Sequence, residues 1–364
     1  MSKPIIHVFF LITVLLSACT AKGTASPDTP TPSPETEVET LTFYSWPDYM
    51  DPQIISDFEQ KYNVKVNYVT GSSASEIYDH GKAERGEYDI ATISDFVLPG
   101  FSRQGLLAPL NRENIPNIKN LDPFFANPQY DPNNRYCLPY QWGSTSIGYN
   151  YKITGREITS WGDMFDPRFK GKVTFLDSNR EAMGAILLYL GYSPNTSNKD
   201  EINQARDFLI KQGDQVFSYK GYDGWQWLDG SDDKDIALAM GYSGAVQRTM
   251  IKDPNVRFTI PKEGAIIWVD NLCIPATSKH KELAEKFLNY LYEPEVGAQL
   301  SNFILYASPN LASLPFIDKA YRESQIMYPS AEVRDRLFYL VDTGYDTTKL
   351  YDDAWAEILA AHGE

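Results

Sequence analysis

The stretch TLTFYSWPDYMDPQIISDFEQKYNVKVNYVT, Thr40–Thr70, changes its periodicity twice. "TLTFYSW" is rich in β-branched and aromatic residues and reads as a strand. Ile54, Ile55, Phe58 and Tyr62 then recur at helical spacing, with Asp51 and Pro52 placed as cap and first turn. "VKVNYVT" returns to a strand pattern. Strand, helix and strand at this pitch imply a parallel sheet covered by helices.

The alternation continues outward. "SASEIYDHGKAERG" predicts a helix stopped by Gly86, and "YDIATI" a further strand. "YCLPYQWGSTSIGYNY" is extended and apolar, as a crossing into a second lobe would be. Beyond it come strand "KVTFLD", helix "EAMGAILLYLGY" and strands "DIALAMGYS" and "VRFTIP". A second extended stretch, "AIIWVDNLCIPA", leads into an amphipathic helix around Leu283, Phe287, Leu288 and Leu291. Two lobes joined by two extended crossings give a hinged cleft. Residues 41–146 and 271–314 are expected to form one lobe, and 147–270 with 315–364 the other. About 320 residues after the N-terminal segment suit two lobes better than one core.

The N-terminus speaks to location. Lys3 precedes an apolar run, Ile5–Leu16, that closes on Leu16-Ser17-Ala18-Cys19. The run is shorter than the ~20 residues a membrane span needs, and matches a secretory signal. A cysteine directly after Leu-Ser-Ala resembles a bacterial lipoprotein signal over 1–18, with Cys19 lipidated after cleavage. Residues 19–40 are rich in Pro, Thr, Ser and Glu and read as a disordered tether.

A net charge of −15 and a pI near 4.8 argue against nucleic acid, whose phosphates would be repelled. Acidity with 24 Tyr, 18 Phe and 7 Trp is compatible with a cationic or sugar ligand. Apart from Cys19 the chain has Cys137 and Cys273. Each lies in an apolar strand-like run, and two buried free thiols are expected.

Enzyme motifs are missing: no G-x-S-x-G elbow, no H-E-x-x-H, no Walker loop. None of the four histidines stands at metal-ligand spacing or beside a nucleophile, so no cofactor or metal is expected. Paired carboxylates of an exported carbohydrate-active enzyme depend on spatial separation and stay open here. What recurs is aromatic and acidic residues at strand ends, where open α/β sheets bind ligands. Trp46, Asp48 and Tyr49 follow the first strand; Ser94, Asp95 and Phe96 follow "YDIATI". Asp177, Ser178 and Glu181 follow "KVTFL", Tyr242 follows "DIALAMG", Trp268 and Asp270 lie in "AIIWVD", and Tyr306 lies in "LYASPN". Arg180 is the one cation among them, and an amino-acid ligand would need it as a carboxylate clamp. The set suits an alkyl ammonium better. Each residue also has a structural reading: Ser178-x-x-Glu181 matches a capping box, Asp95 an N-cap, Asp48 a solvated turn, and Trp46 or Trp268 core. Trp161 reads as packing.

"FYSWPDYM", "LPYQWGSTSIGYN", "TSWGDMFDPRFKGKV", "PKEGAIIWVDNLCIPA" and "YASPNLA" together resemble the spermidine/putrescine-binding proteins of polyamine ABC importers. The resemblance runs from about Leu41 past Asn310. It implies an α/β, type II periplasmic-binding-protein-like fold and a monomeric receptor that serves a permease and a separate ATPase. It also implies ligand contacts from Trp46, Asp48, Tyr49, Ser94, Glu181, Trp268, Asp270 and Tyr306. Tyr242 stands where the family has tryptophan, Ala245 where putrescine-preferring members have aspartate, and Ser178 where spermidine-preferring ones do. Leu340 replaces a ligand-contacting glutamine. Asp95 remains as the spare acid for a third ammonium. The pattern predicts binding of both polyamines with a lean to putrescine; a receptor for another cationic or sugar ligand is the alternative on the same fold.

Overall fold

The computed structural model describes residues 38–71, 87–220 and 224–364. The signal segment, Cys19, most of the tether and the helix expected at Ser73–Gly86 lie outside the described residues. From β1, Thr40–Ser45, the chain enters α1, Pro52–Tyr62, and then β2, Lys65–Thr70. The Asp51 carboxylate caps α1 by accepting from the Gln53 amide, and Asn63 in the left-handed region ends it. Ile54 and Phe58 are its buried stripe. β1 pairs in parallel with β2 and with β3, Ile90–Ser94, so the unit read from Thr40–Thr70 forms.

Two long strands lie in the middle of the sheet. β4, Cys137–Asn150, is buried along its whole length, and β9, Ala265–Cys273, runs antiparallel between β3 and β4. Further along lie β5, Val173–Thr174, β6, Val216–Ser218, β7, Leu238–Tyr242, and β8, Val256–Thr259. β10 is Leu337–Tyr339. Among the described residues these ten strands form one mixed sheet, ordered β2-β1-β3-β9-β4-β7-β5-β6, with β8 on β4 and β10 on β9. Of "KVTFLD" only Val173–Thr174 form the strand, and the Phe175 amide that follows donates to the carbonyl of Ser218 in β6.

Helices cover the sheet: α2, Leu98–Arg103; α3, Asn179–Tyr189; α4, Lys199–Lys211; α5, Ser243–Lys252; α6, Lys281–Leu291; α7, Pro294–Ile304; and α8, Tyr345–His362. Two main cores result. The first gathers Leu41, Phe43, Ile54, Phe58, Phe287 and Leu288; the second gathers Trp161, Phe175, Ile186, Leu238 and Trp355. Trp161 is fully buried and donates to the Gly264 carbonyl, a packing role. Tyr321, Met327 and Tyr328 pack on the first core, and α8 packs on the second.

The cysteines also differ from expectation. Cys137 and Cys273 are register partners on β4 and β9, with Cα atoms 4.4 Å apart, and they form a disulfide. Local sequence could not show this, because the pairing depends on the register between strands 136 residues apart.

Candidate functional site

Asp270 lies in β9 with Ser94 of β3 opposite it on one side and Gln141 of β4 on the other. Side chains alternate along a strand, so Ile266, Trp268 and Asp270 share a face. The Ser94 hydroxyl donates to Asp270 Oδ1 at 2.6 Å and the Tyr49 hydroxyl to Oδ2 at 2.9 Å. The Trp46 side chain also bonds this carboxylate. Asp270 is only 7% exposed, and burial raises its pKa against the pull of those three donors.

Glu181 sits in the first turn of α3, where free amides favour negative charge. Thr145 of β4 donates to Oε1 and Tyr242, at the end of β7, to Oε2 at 3.1 Å. Ser178 hydrogen-bonds the same carboxylate; it is the N-cap residue of α3 but makes no side-chain capping bond. Glu181 is 8% exposed, and burial raises its pKa too. Asp270 adds a repulsive contribution to that rise, which places the two acids within electrostatic reach.

Aromatic rings connect the two acids. Tyr49 meets Tyr306 edge-on with centroids 5.8 Å apart, Tyr306 meets Trp268 at 5.1 Å, and Trp268 meets Tyr242 at 5.9 Å. The series begins at a donor to Asp270 and ends at a donor to Glu181. Trp268 fits because Gly143 lies beneath it on β4; a Cβ there would stand 2.5 Å from the indole. Tyr140 backs the wall, 5.5 Å from Tyr49, with its hydroxyl donating to the Tyr49 carbonyl.

Among the described residues neither carboxylate has an ion-pair partner. Arg180 is the next residue to Glu181 but turns away. Its guanidinium donates to the Val341 carbonyl, Thr343 and Asn195 and lies 4.6 Å from the Tyr351 ring centroid. That removes the carboxylate clamp an amino-acid ligand would need. Two buried acids satisfied by neutral hydroxyl and indole donors, beside aromatic faces, form a site that a cation can neutralise.

Other expected residues fall elsewhere. Asp48 is exposed in the turn after β1, in the left-handed region at φ 56°. Asp95 is 1% exposed; its carboxylate accepts from the amides of Phe96 at 2.8 Å and Val269 at 3.2 Å. It therefore ties β3 to β9 behind Asp270, and it does not cap α2, whose N-cap is Val97. Asp177 is exposed and accepts from Trp355. Leu340 joins Leu188, Ile266 and Phe96 in a small apolar cluster. Thr145 and Tyr140 went unnoticed in the sequence. Their one signal is the small, polar run "GSTS" and the lone tyrosines inside an apolar crossing.

Residues 53–327 match the family model described as bacterial extracellular solute-binding protein. The spermidine/putrescine-binding periplasmic protein of Escherichia coli (strain K12) is 31% identical, over 88% of this chain and 92% of its own length. The putrescine-binding periplasmic protein of the same strain is 32% identical over the same shares. The spermidine/putrescine ABC transporter substrate-binding protein of Streptococcus pneumoniae, solved with calcium and HEPES, superposes with a TM-score of 0.81. That structure is 27% identical and covers 89% of this chain and 99% of its own. With fold and sequence agreeing over most of the chain, the chain belongs to the bacterial extracellular solute-binding proteins and has their type II periplasmic-binding-protein fold.

Proposed function

We propose that this protein is the substrate receptor of a polyamine ABC importer and holds a diamine between Asp270 and Glu181. The observation that carries the reading is the pair of buried acids without counter-ions, joined by the wall Tyr49–Tyr306–Trp268–Tyr242. A polyamine is ammonium groups separated by methylenes. Each carboxylate takes one terminal ammonium, and the rings cover the methylenes while attracting the charges by about 0.5–2 kcal/mol per contact. Trp46 and Ser94 complete the Asp270 end, and Asp48 stands at the rim.

The residues around the first core, chiefly 41–146 and 271–328, make one lobe; 147–270 and α8 make the other. A ligand bridging them favours closure, since it binds the closed state better. We read the N-terminal segment as a lipoprotein signal, so the receptor is exported, faces the periplasm or the cell exterior on a Cys19 lipid anchor, and hands its ligand to a permease with a separate ATPase. It acts as a monomer and catalyses nothing.

Among the described residues the third buried acid near the pair, Asp95, has its carboxylate committed to backbone amides, and Phe96, Leu188, Ile266 and Leu340 form an apolar cluster. Putrescine is therefore the preferred ligand, with spermidine bound more weakly. Calorimetry against putrescine, spermidine, spermine, amino acids and sugars tests the reading. Polyamine binding without turnover supports it; no response to any polyamine overturns it.

A further inference from the structure

The wall residue Tyr306 is met by a helix from across the site. It follows α7, whose C-terminus ends at Leu305 in the left-handed region at φ 60°. Ile304 and Tyr306, on either side of Leu305, pack with the first core. Opposite them stands the first half of α5, which is seated on the other side by Val246 and Met250 against Leu228, Ala239 and Val256. Two features of α5 meet the Leu305–Tyr306 corner, and a third joins α5 to the segment around Ser324. Gly244 lies so close that an added Cβ would stand 2.2 Å from the Leu305 carbonyl oxygen and 2.4 Å from the Tyr306 ring. Arg248 donates to the Ile304 carbonyl at 2.6 Å, and its guanidinium lies 5.9 Å from the Tyr306 ring centroid. Gln247 accepts from the Ser324 hydroxyl at 3.1 Å, and Ser324 lies in the segment that packs on the first core.

We infer that Gly244 and Arg248 are positioning residues for ligand capture: together they form a latch that closes α5 onto the Leu305–Tyr306 corner and sets Tyr306 between the two acids. The absence of a side chain at Gly244 permits backbone-to-ring contact. Arg248 satisfies one of the carbonyls left unpaired at the end of α7, where the helix dipole favours a cation. Tyr242, which donates to Glu181, directly precedes α5. Closure of this one helix therefore delivers the Glu181 end and Tyr306 together. The latch rests on the two-lobed receptor reading, but its test does not depend on the ligand's identity.

In the full chain, Gln247→Cys with Ser324→Cys gives a cross-link whose rate of oxidation reports the closed contact without ligand. Adding Gly244→Ala or Arg248→Met is expected to slow that rate severalfold, and adding Arg248→Lys to restore most of it. Without the cysteine pair, Gly244→Ala and Arg248→Met should weaken putrescine binding about tenfold and raise the dissociation rate, and should reduce the compaction seen by X-ray scattering. Circular dichroism and the ligand-free melting temperature report whether each variant folds; should Gly244→Ala not fold, Arg248→Met against Arg248→Lys decides. Wild-type cross-linking rates in both Gly244→Ala and Arg248→Met overturn the latch. A wild-type protein that ignores polyamines overturns the receptor reading instead, while the cross-linking comparison still decides the latch.

Discussion

Asp270 and Glu181 serve the same proposed ligand but are held in different ways. Asp270 sits mid-strand with a paired strand on each side, and a disulfide closes the same two crossings three residues further on. Its donors Ser94 and Tyr49 come from β3 and from the loop after β1. Glu181 sits on a helix turn, and its donors Thr145 and Tyr242 come from β4 and the end of β7. The strand acid has its position set by backbone register. The helix acid relies on side-chain hydroxyls and the placement of α3. The difference suggests a fixed anchor at one end of the ligand and an adaptable one at the other.

The largest expected effect is at the fixed end. Asp270→Asn should cost tenfold or more in putrescine affinity by calorimetry, since leaving one partner of a buried pair unmatched costs about 3–5 kcal/mol. The ligand-free melting temperature should hold or rise, because a buried acid is neutralised. Binding close to wild type would remove Asp270 from the site and break the comparison.

The disulfide distinguishes the two ends next. Cys137→Ala with Cys273→Ala should lower unfolding stability by about 2–4 kcal/mol in denaturant titration. The strand pairing around Asp270 keeps its hydrogen bonds, so affinity in the folded protein should change little. A large affinity loss with little stability loss would show that the bond positions Asp270 directly.

Glu181→Gln should weaken putrescine binding less than Asp270→Asn, because Gln can still accept from Thr145 or Tyr242 and the helix can readjust. A loss equal to or greater than that of Asp270→Asn would erase the proposed difference between the ends.

The pH response follows from the same burial. Both folded pKa values are raised, so these acids favour the ligand-free fold below their ordinary carboxylate range and lose that contribution as pH rises through the raised values. The ammonium ligand needs the ionised acids, so affinity should rise over the same window, and Asp270→Asn should flatten the slope. Calorimetry from pH 4 to 8 checks it, and an affinity that falls as pH rises would contradict it.

The smallest effect expected is a difference that vanishes. The carboxylate of Asp95 ties backbone amides, so Asp95→Ala should weaken putrescine and spermidine to the same extent. A selective loss of spermidine would put Asp95 back in the cleft as the partner of a third ammonium.

Much of the fold was legible because its signals are local. The stripe of Ile54 and Phe58, the Asp51 cap and the β-branched runs on either side are properties of short segments, and they folded as read. Trp46, Tyr49, Ser94, Glu181, Tyr242, Trp268, Asp270 and Tyr306 stood out by residue type at strand ends, and the structure brings them together. Asp95 and Asp48 had the same appearance in the sequence. Only the direction of one carboxylate and the exposure of the other separate them from the acids that face the wall.

The sequence by itself determined the alternating α/β character, and it carried the recurrence of aromatic and acidic residues at strand ends with little basic charge. Those follow from periodicity and side-chain chemistry, which act over a few residues. The tertiary structure alone decided that Ser94 faces Asp270, that Thr145 reaches Glu181, that Arg180 turns away and that Cys137 meets Cys273. Each of those depends on strand register or helix placement between segments far apart in the chain. A one-residue slip in register would turn every side chain of a strand to its other face, and no local pattern specifies against that slip.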